Sequence, residues 1–291
     1  MLTQIGRMKR ATWLLAIVLL SLPALAAPKS AFFTTSDGVR LHYLESGSGQ
    51  AILFVPGWTM PADIWDSQIQ FFSQHYHVVA IDPRSQGDSD KPSEGNYPER
   101  RARDYKELVD HLKLSPAVLV GWSLGVAEML AYVDQFGPDS IRALVLVDGF
   151  LSVPQEMLPG AMSMLHTAQV DRRKFTDAFV RSMYKKPQTE AYLQRVIQAS
   201  LRTPSNTATS LIAGLLGYRG LASGMEKYAG HPLLIVCSEP GLAKEAQALR
   251  DKRPNTRVEV FDDAGHALFV DDADRFNSLL NDFISTLPPA K

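Results

Sequence analysis

Cysteine is nearly absent from this chain. Of its 291 residues only Cys237 is one, so no intramolecular disulfide can staple the fold and no cysteine pair can hold a zinc ion. The apolar run that contains it, Leu233 to Cys237, makes a buried, inert thiol the expected state rather than a second nucleophile. An excess of either charge is missing too. With 30 Lys and Arg against 31 Asp and Glu the net charge is −1, and no basic block is present to follow a phosphate backbone, so nucleic acid is not an expected partner. The sequence holds no His-Glu-x-x-His, no aspartate cluster and no dinucleotide glycine fingerprint after a first strand, so neither a metal nor a cofactor is expected. Internal repeats are also lacking.

Long apolar runs are missing everywhere except at the start. There Arg7, Lys9 and Arg10 precede an apolar stretch from Trp13 to Leu22, and Pro23-Ala24-Leu25-Ala26-Ala27 follows it. A charged n-region, an apolar h-region and a small-x-small site predict a signal peptide over residues 1–26, cut after Ala26. The alternative is an uncleaved anchor. Against it, the run is shorter than the roughly 20 residues needed to span a bilayer, and Ser21 and Pro23 interrupt it. No lipid-attachment cysteine follows the h-region. A periplasmic or secreted protein is therefore expected, without a stable membrane anchor after cleavage, and its oligomeric state is left open.

What is present is organised around Ala117 to Val126. The unbroken apolar run from Ala117 to Val120 reads as a strand buried on both faces, and Val126 to Phe136 reads as a helix with Met129, Leu130 and Val133 at helical spacing. Between them lies Gly121-Trp122-Ser123-Leu124-Gly125. So tight a strand-to-helix turn brings backbone against its neighbours, which asks for glycine on both flanks and pushes the Ser123 hydroxyl out above the sheet edge. The following helix start offers Leu124 N–H, at a positive dipole end, to a developing oxyanion.

In this strand-turn-helix context the sequence resembles the α/β-hydrolase family. The resemblance covers nearly the whole chain after residue 26. It implies an α/β fold with a mostly parallel eight-stranded sheet, helices on both faces, and a helical cap inserted after the sixth strand. The residues agree with alternating strands and helices. Phe32 to Thr35 and Arg40 to Glu45 flank a Ser36-Asp37-Gly38 turn as a hairpin, and Ser46-Gly47-Ser48-Gly49 reads as a turn between strands rather than a phosphate loop. Further strands are expected at Ala51 to Val55, His77 to Ile81, Ile141 to Val147, Leu233 to Cys237 and Arg257 to Phe261. Helices are expected at Asp63 to Phe72, with Asp63 as N-cap and Trp65 in the core, and at Arg101 to Leu112, Leu242 to Leu249 and the C-terminal Phe276 to Phe283 stretch. From Leu151 to Tyr228 only helical segments broken by prolines occur, so the core is expected at 27–150 and 229–291 and the cap at 151–228. Met157, Met162, Met164 and Met183 suggest an adaptable apolar lining there, and His166 a surface or pocket position.

The resemblance also assigns roles. The loop Pro56-Gly57-Trp58-Thr59 stands where the family usually has His-Gly, and the residue after the glycine gives a second oxyanion N–H, which is Trp58 here. Its side chain would line the substrate pocket or serve as packing. Asp82-Pro83-Arg84-Ser85-Gln86-Gly87-Asp88-Ser89 looks like the family's Asp-x-Arg-Gly-x-Gly-x-Ser scaffolding loop, with Ser85 in place of a glycine. None of its polar residues is expected to be catalytic.

A serine needs a base, and of seven histidines only His266 follows the last strand, behind a glycine and at the same carboxyl edge as Ser123. The acid should fall between them in chain order. Its usual family position after the seventh strand is Gly241, so two substitutes remain: Asp148 at the end of strand six, the better placed, and Glu239 in the Cys237-Ser238-Glu239-Pro240 loop. Asp262 and Asp263 lie too close to His266 in sequence to fold back onto it. The expected function is an exported serine hydrolase acting on a small-molecule ester, cleaving carboxylic esters of small, largely apolar substrates through an acyl-enzyme. The alternatives are C–C bond hydrolysis, peptide cleavage or perhydrolysis with the same triad, or a non-catalytic ligand-binding relative.

Overall fold

The computed structural model describes residues 27–288, so the segment expected to be a signal peptide, 1–26, lies outside them. Lys29–Thr34 (β1) and Arg40–Ser46 (β2) pair antiparallel as the hairpin, and the Gly-Ser stretch after β2 leads directly to Ala51–Val55 (β3) without opening a helix. Residues Ala62–Trp65 form a short 3-10 turn that runs into Asp66–Phe72 (α1). Asp63 therefore makes no cap hydrogen bond; its carboxylate pairs with Arg195 instead. Trp65 is fully buried and stacks on Phe269 at 3.9 Å.

The chain continues through His77–Ile81 (β4), Pro98–His111 (α2), Ala117–Trp122 (β5), Leu124–Phe136 (α3) and Ile141–Val147 (β6). Five helices follow without a strand: Leu158–Val170 (α4), Arg172–Ser182 (α5), Glu190–Leu201 (α6), Ser205–Gly217 (α7) and Leu221–Lys227 (α8). Leu233–Cys237 (β7), Pro240–Lys252 (α9), Thr256–Val260 (β8), Leu268–Asp271 (α10) and Ala273–Ser285 (α11) complete it. α2 and α9 begin earlier than their apolar spacing suggests. Both start on a proline, whose fixed φ suits the first helical position and whose missing N–H is not needed there.

The eight strands lie in the order β1-β2-β4-β3-β5-β6-β7-β8. From β4 through β8 all neighbours are parallel, and β2 runs against both of its neighbours. Alternate residues of each central strand face opposite layers. Leu53, Leu119, Leu144 and Ile235 join a core with α2, α3 and α9, whereas Phe54, Val120, Val145 and Val236 join a second core with α1 and α11. Both faces being covered explains why these strands read as unbroken apolar runs. Because β3 leads away to β4 on one side while β5 lies on its other side, the strand order reverses between β3 and β5. In open α/β sheets ligands bind at such a crevice, beyond the carboxyl ends of the strands.

Candidate active site

Six loops leave that carboxyl edge, and those after β3, β5, β6, β7 and β8 each carry one part of the site. β5 runs straight into Ser123, whose backbone sits at φ 55°, ψ −116° before α3 begins. So sparsely populated a conformation costs about 1–3 kcal/mol and needs firm surroundings. Ser123 N–H donates to Val147 O at 2.9 Å, and Val126 N–H closes onto Ser123 O at 3.0 Å. A Cβ on Gly121 would come within 2.5 Å of Gly125 O, and one on Gly125 within 2.8 Å of Val55 O. The flanking glycines are thus required by contact between β5, α3 and β3.

β8 leads to His266. The loop holding it is fixed by Gly265 N–H donating to Asp271 Oδ2 at 2.8 Å, Ala267 N–H to Met183 O at 2.9 Å, and Trp122 Nε1–H to His266 O at 2.9 Å. Its imidazole lies between the other two groups, with Nε2 at 2.9 Å from Ser123 Oγ and Nδ1 at 2.8 Å from Asp148 Oδ2. A carboxylate only accepts, so Nδ1 carries the proton and the Nε2 lone pair faces the serine hydroxyl.

Asp148 ends β6 at φ 45° and is 1% exposed. Besides His266 it accepts from Ser238 N–H at 2.5 Å, Ser238 Oγ–H at 2.9 Å and Glu239 N–H at 3.3 Å. A buried carboxylate with its lone pairs filled in this way keeps one orientation. Of the two candidate acids, the structure brings Asp148 to His266. Glu239 contributes its main-chain N–H to Asp148, while its exposed carboxylate stands at the start of α9. Asp262 and Asp263 stay apart from the imidazole; Asp263 pairs with Arg275. Asp271, which the sequence reading passed over, holds the histidine loop and also accepts from Lys185 N–H at 2.7 Å.

Trp58 follows β3, and Leu124 opens α3. Among the described residues neither main-chain N–H has a protein acceptor, which leaves both free for an oxygen bound beside Ser123. The Trp58 side chain both packs and lines the cavity. Its Nε1–H donates to Ala208 O at 2.8 Å on α7, and with Leu124 it joins a cluster with Leu165, Leu211 and Ile212. The cavity over Ser123 measures about 590 Å³. Phe150, Met157, Met164, Phe179 and Leu215 line it, with Ser182, Glu239 and the Ser123, His266 and Asp148 side chains as its polar exceptions. Met183 lines it as well, but Met162 does not. That side chain is 60% exposed on the outer face of α4, where His166 also lies exposed. Cys237 takes no part: burial, with Asp148 nearby, pushes its thiol up to about 12 and keeps it neutral.

A second chain of the same residue types lies at the far side of the sheet. Ser30 Oγ is 2.8 Å from His42 Nε2, and His42 Nδ1 is 2.7 Å from Asp82 Oδ2. Asp82 also accepts from Ala62 N–H at 2.5 Å and Asp88 N–H at 2.7 Å, so this array ties β1 and β2 to the scaffolding loop. His42, Asp82 and Asp88 are also the described residues whose ligand atoms lie within 4.8 Å of one another, but both His42 nitrogens are already engaged. In that loop Ser85 adopts φ 69°, the left-handed backbone that glycine favours at its position.

A family described as alpha/beta hydrolase fold matches residues 50–273. A non-heme chloroperoxidase of Streptomyces lividans is 39% identical over 128 residues, 43% of this chain and 45% of that one. A bifunctional esterase/perhydrolase of Acinetobacter calcoaceticus is 35% identical over 119 residues, 40% of this chain and 43% of that one. In both cases the match spans less than half the length of the relative. Among solved structures, an esterase from Exiguobacterium antarcticum superimposes with a TM-score of 0.80 at 22% identity, covering 89% of this chain and all of that one.

Proposed function

The chain belongs to the α/β-hydrolase family, and on that premise we propose that it is a serine hydrolase cleaving carboxylic esters of small, largely apolar substrates. The single observation that carries this reading is the continuous array Ser123–His266–Asp148, with distances of 2.9 and 2.8 Å, opening into an apolar cavity. Ser123 Oγ attacks the ester carbonyl as His266 Nε2 takes its proton. Asp148 holds the ring and stabilises the imidazolium. The Trp58 and Leu124 N–H groups hold the oxyanion, a contribution worth about 10²–10³-fold in rate per donor. His266 then protonates the leaving alcohol, and water releases the acid from the acyl-enzyme. The helices between β6 and β7 act as the cap that shapes the pocket. A carboxylate nucleophile, as epoxide opening or dehalogenation would need, is not offered by an elbow that presents serine.

A panel of aryl esters with graded acyl chains tests this. Highest kcat/KM is expected on short acyl groups, with a burst of aryl alcohol equal to the enzyme concentration when deacylation is slow. No turnover on any member would favour a ligand-binding protein instead. The similarity to an esterase/perhydrolase supports a second outcome at the same acyl-enzyme: hydrogen peroxide in place of water would release a peroxycarboxylic acid and free Ser123. Adding peroxide to the most active ester and assaying peracid separates the two. Export is part of the same proposal, resting on the charged, apolar and small-residue order before Ala27. Protein recovered outside the cytoplasm is expected to begin at Ala27; a membrane-bound form that retains Met1 would contradict it.

A further inference from the structure

The geometry points to Gln86 as a positioning residue of the oxyanion hole: its side-chain amide grips the carbonyls of Gly57 and Met60 and so aims Trp58 N–H at the reacting oxygen. This rests on the reading of Trp58 N–H as an oxyanion donor. Gln86 lies in the scaffolding loop after β4, is fully buried, and has no main-chain connection to the 57–60 turn. Its Nε2 donates to Gly57 O at 3.0 Å and to Met60 O at 2.8 Å, so both amide hydrogens are used. The opposite end, Oε1, accepts from Arg101 Nη2 at 3.0 Å. Since a guanidinium only donates, Arg101 fixes which end of the amide faces the turn.

The consequence follows from peptide planarity. Gly57 C=O and Trp58 N–H belong to one trans peptide unit and point in opposite directions. Holding the carbonyl toward Gln86 therefore turns the N–H the other way, toward the space beside Ser123. Were the unit to rotate, the Gly57 carbonyl would face a developing negative charge in place of a donor. Within the turn Met60 N–H also donates to Gly57 O at 3.2 Å, and Thr59 sits at φ 61°, a backbone conformation that a β-branched residue adopts at a cost of order 1–3 kcal/mol, so the turn keeps this shape only with firm support around it. On the other side the Thr59 hydroxyl is hydrogen-bonded to Ser200 Oγ of α6 at 2.7 Å, both buried.

Gln86 is itself anchored to the nucleophile's helix. Arg101 Nε lies 3.1 Å from Glu128 Oε1, and Tyr105 Oη–H donates to Glu128 Oε2. Glu128 belongs to α3, which Ser123 precedes. One buried relay, Glu128 to Arg101 to Gln86, therefore sets the oxyanion turn against the same helix whose first N–H is the other donor. The two donors are held in register by side chains that never touch substrate.

The test uses Gln86→Leu and the near-isosteric Gln86→Glu, which keeps a partner for Arg101 but cannot donate to two carbonyls when ionised. For the best aryl ester, kcat is expected to fall by about 10²-fold in both variants with KM little changed, the signature of an interaction made in the transition state. Affinity for a boronic acid, which mimics the tetrahedral oxyanion, is expected to fall by a similar factor, whereas binding of the product acid is not. If Gln86→Leu fails to fold, Gln86→Glu decides. Folded variants that keep wild-type kcat and boronic acid affinity, or that lose only KM, overturn the assignment. Failure of the hydrolase reading itself is distinct from this: wild-type protein would then bind no boronic acid and turn over no ester.

Discussion

Replacing Ser123 by alanine is expected to lower kcat on aryl esters by about 10⁴–10⁶-fold while leaving KM and the folded state largely intact. The hydroxyl is the only group in the array that can form the acyl bond, and His266 Nε2, at 2.9 Å, would be left with no proton to take. Stability should not fall. Ser123 occupies φ 55° with its main chain held by Val147 O and by Val126 N–H, and neither contact involves the hydroxyl. Alanine tolerates that backbone no worse than serine does. Steady-state kinetics on active-site-titrated protein, with thermal unfolding alongside, gives the answer. A variant that retains a tenth or more of wild-type kcat would mean that another residue or a bound water attacks.

The second large effect belongs to the acid. Asp148→Asn is expected to lower kcat by about 10⁴-fold, because an amide can donate to Nδ1 and so select the wrong imidazole tautomer, with its proton on Nε2 facing Ser123. Ser238 N–H would still donate to the remaining oxygen, at 2.5 Å, and Ser238 Oγ, 2.9 Å from the position the amide nitrogen takes, would turn to accept from it, so the geometry should survive while the electrostatics fail. Glu239→Gln is expected to stay near wild type. Only the main-chain N–H of Glu239 reaches Asp148, and that group survives the substitution. The opposite pattern, loss in Glu239→Gln with Asp148→Asn active, would require the α9 loop to rearrange during turnover and would reassign the acid.

How far the sequence carries depends on whether a feature is written locally. β4, β6 and β7 begin and end where their apolar runs do, because burial on both faces leaves nothing else to read. The starts of α2 and α9 are less visible, since Pro98 and Pro240 act through backbone geometry and not through apolar spacing. Ser123 and His266 stand out because each sits in a short segment beside glycines, which close backbone approach demands: Gly121 and Gly125 where β5, α3 and β3 meet, Gly265 against the main chain at Met183 to Lys185. The choice between Asp148 and Glu239 is not local. It depends on which of two loops faces the imidazole, and a residue displaced from its usual strand leaves two carboxylates in contention, with only its place at a strand end beside the nucleophile strand to favour Asp148. Gln86 and Asp271 leave no trace at all, because each works on main-chain groups remote in sequence or on a loop it closes from behind. Met162 shows the limit of composition: three of four methionines in that stretch line the cavity, and helical phase alone puts the fourth outside.

Hydrolysis here requires one oxygen to be activated by one imidazole, and covalent labelling reads that directly. Wild-type protein treated with a fluorophosphonate and digested for mass spectrometry is expected to carry a single adduct on Ser123, lost in Ser123→Ala, with Ser30 unmodified despite its own contact to His42. An unlabelled protein, or an adduct that persists on another serine when Ser123 is removed, would contradict it.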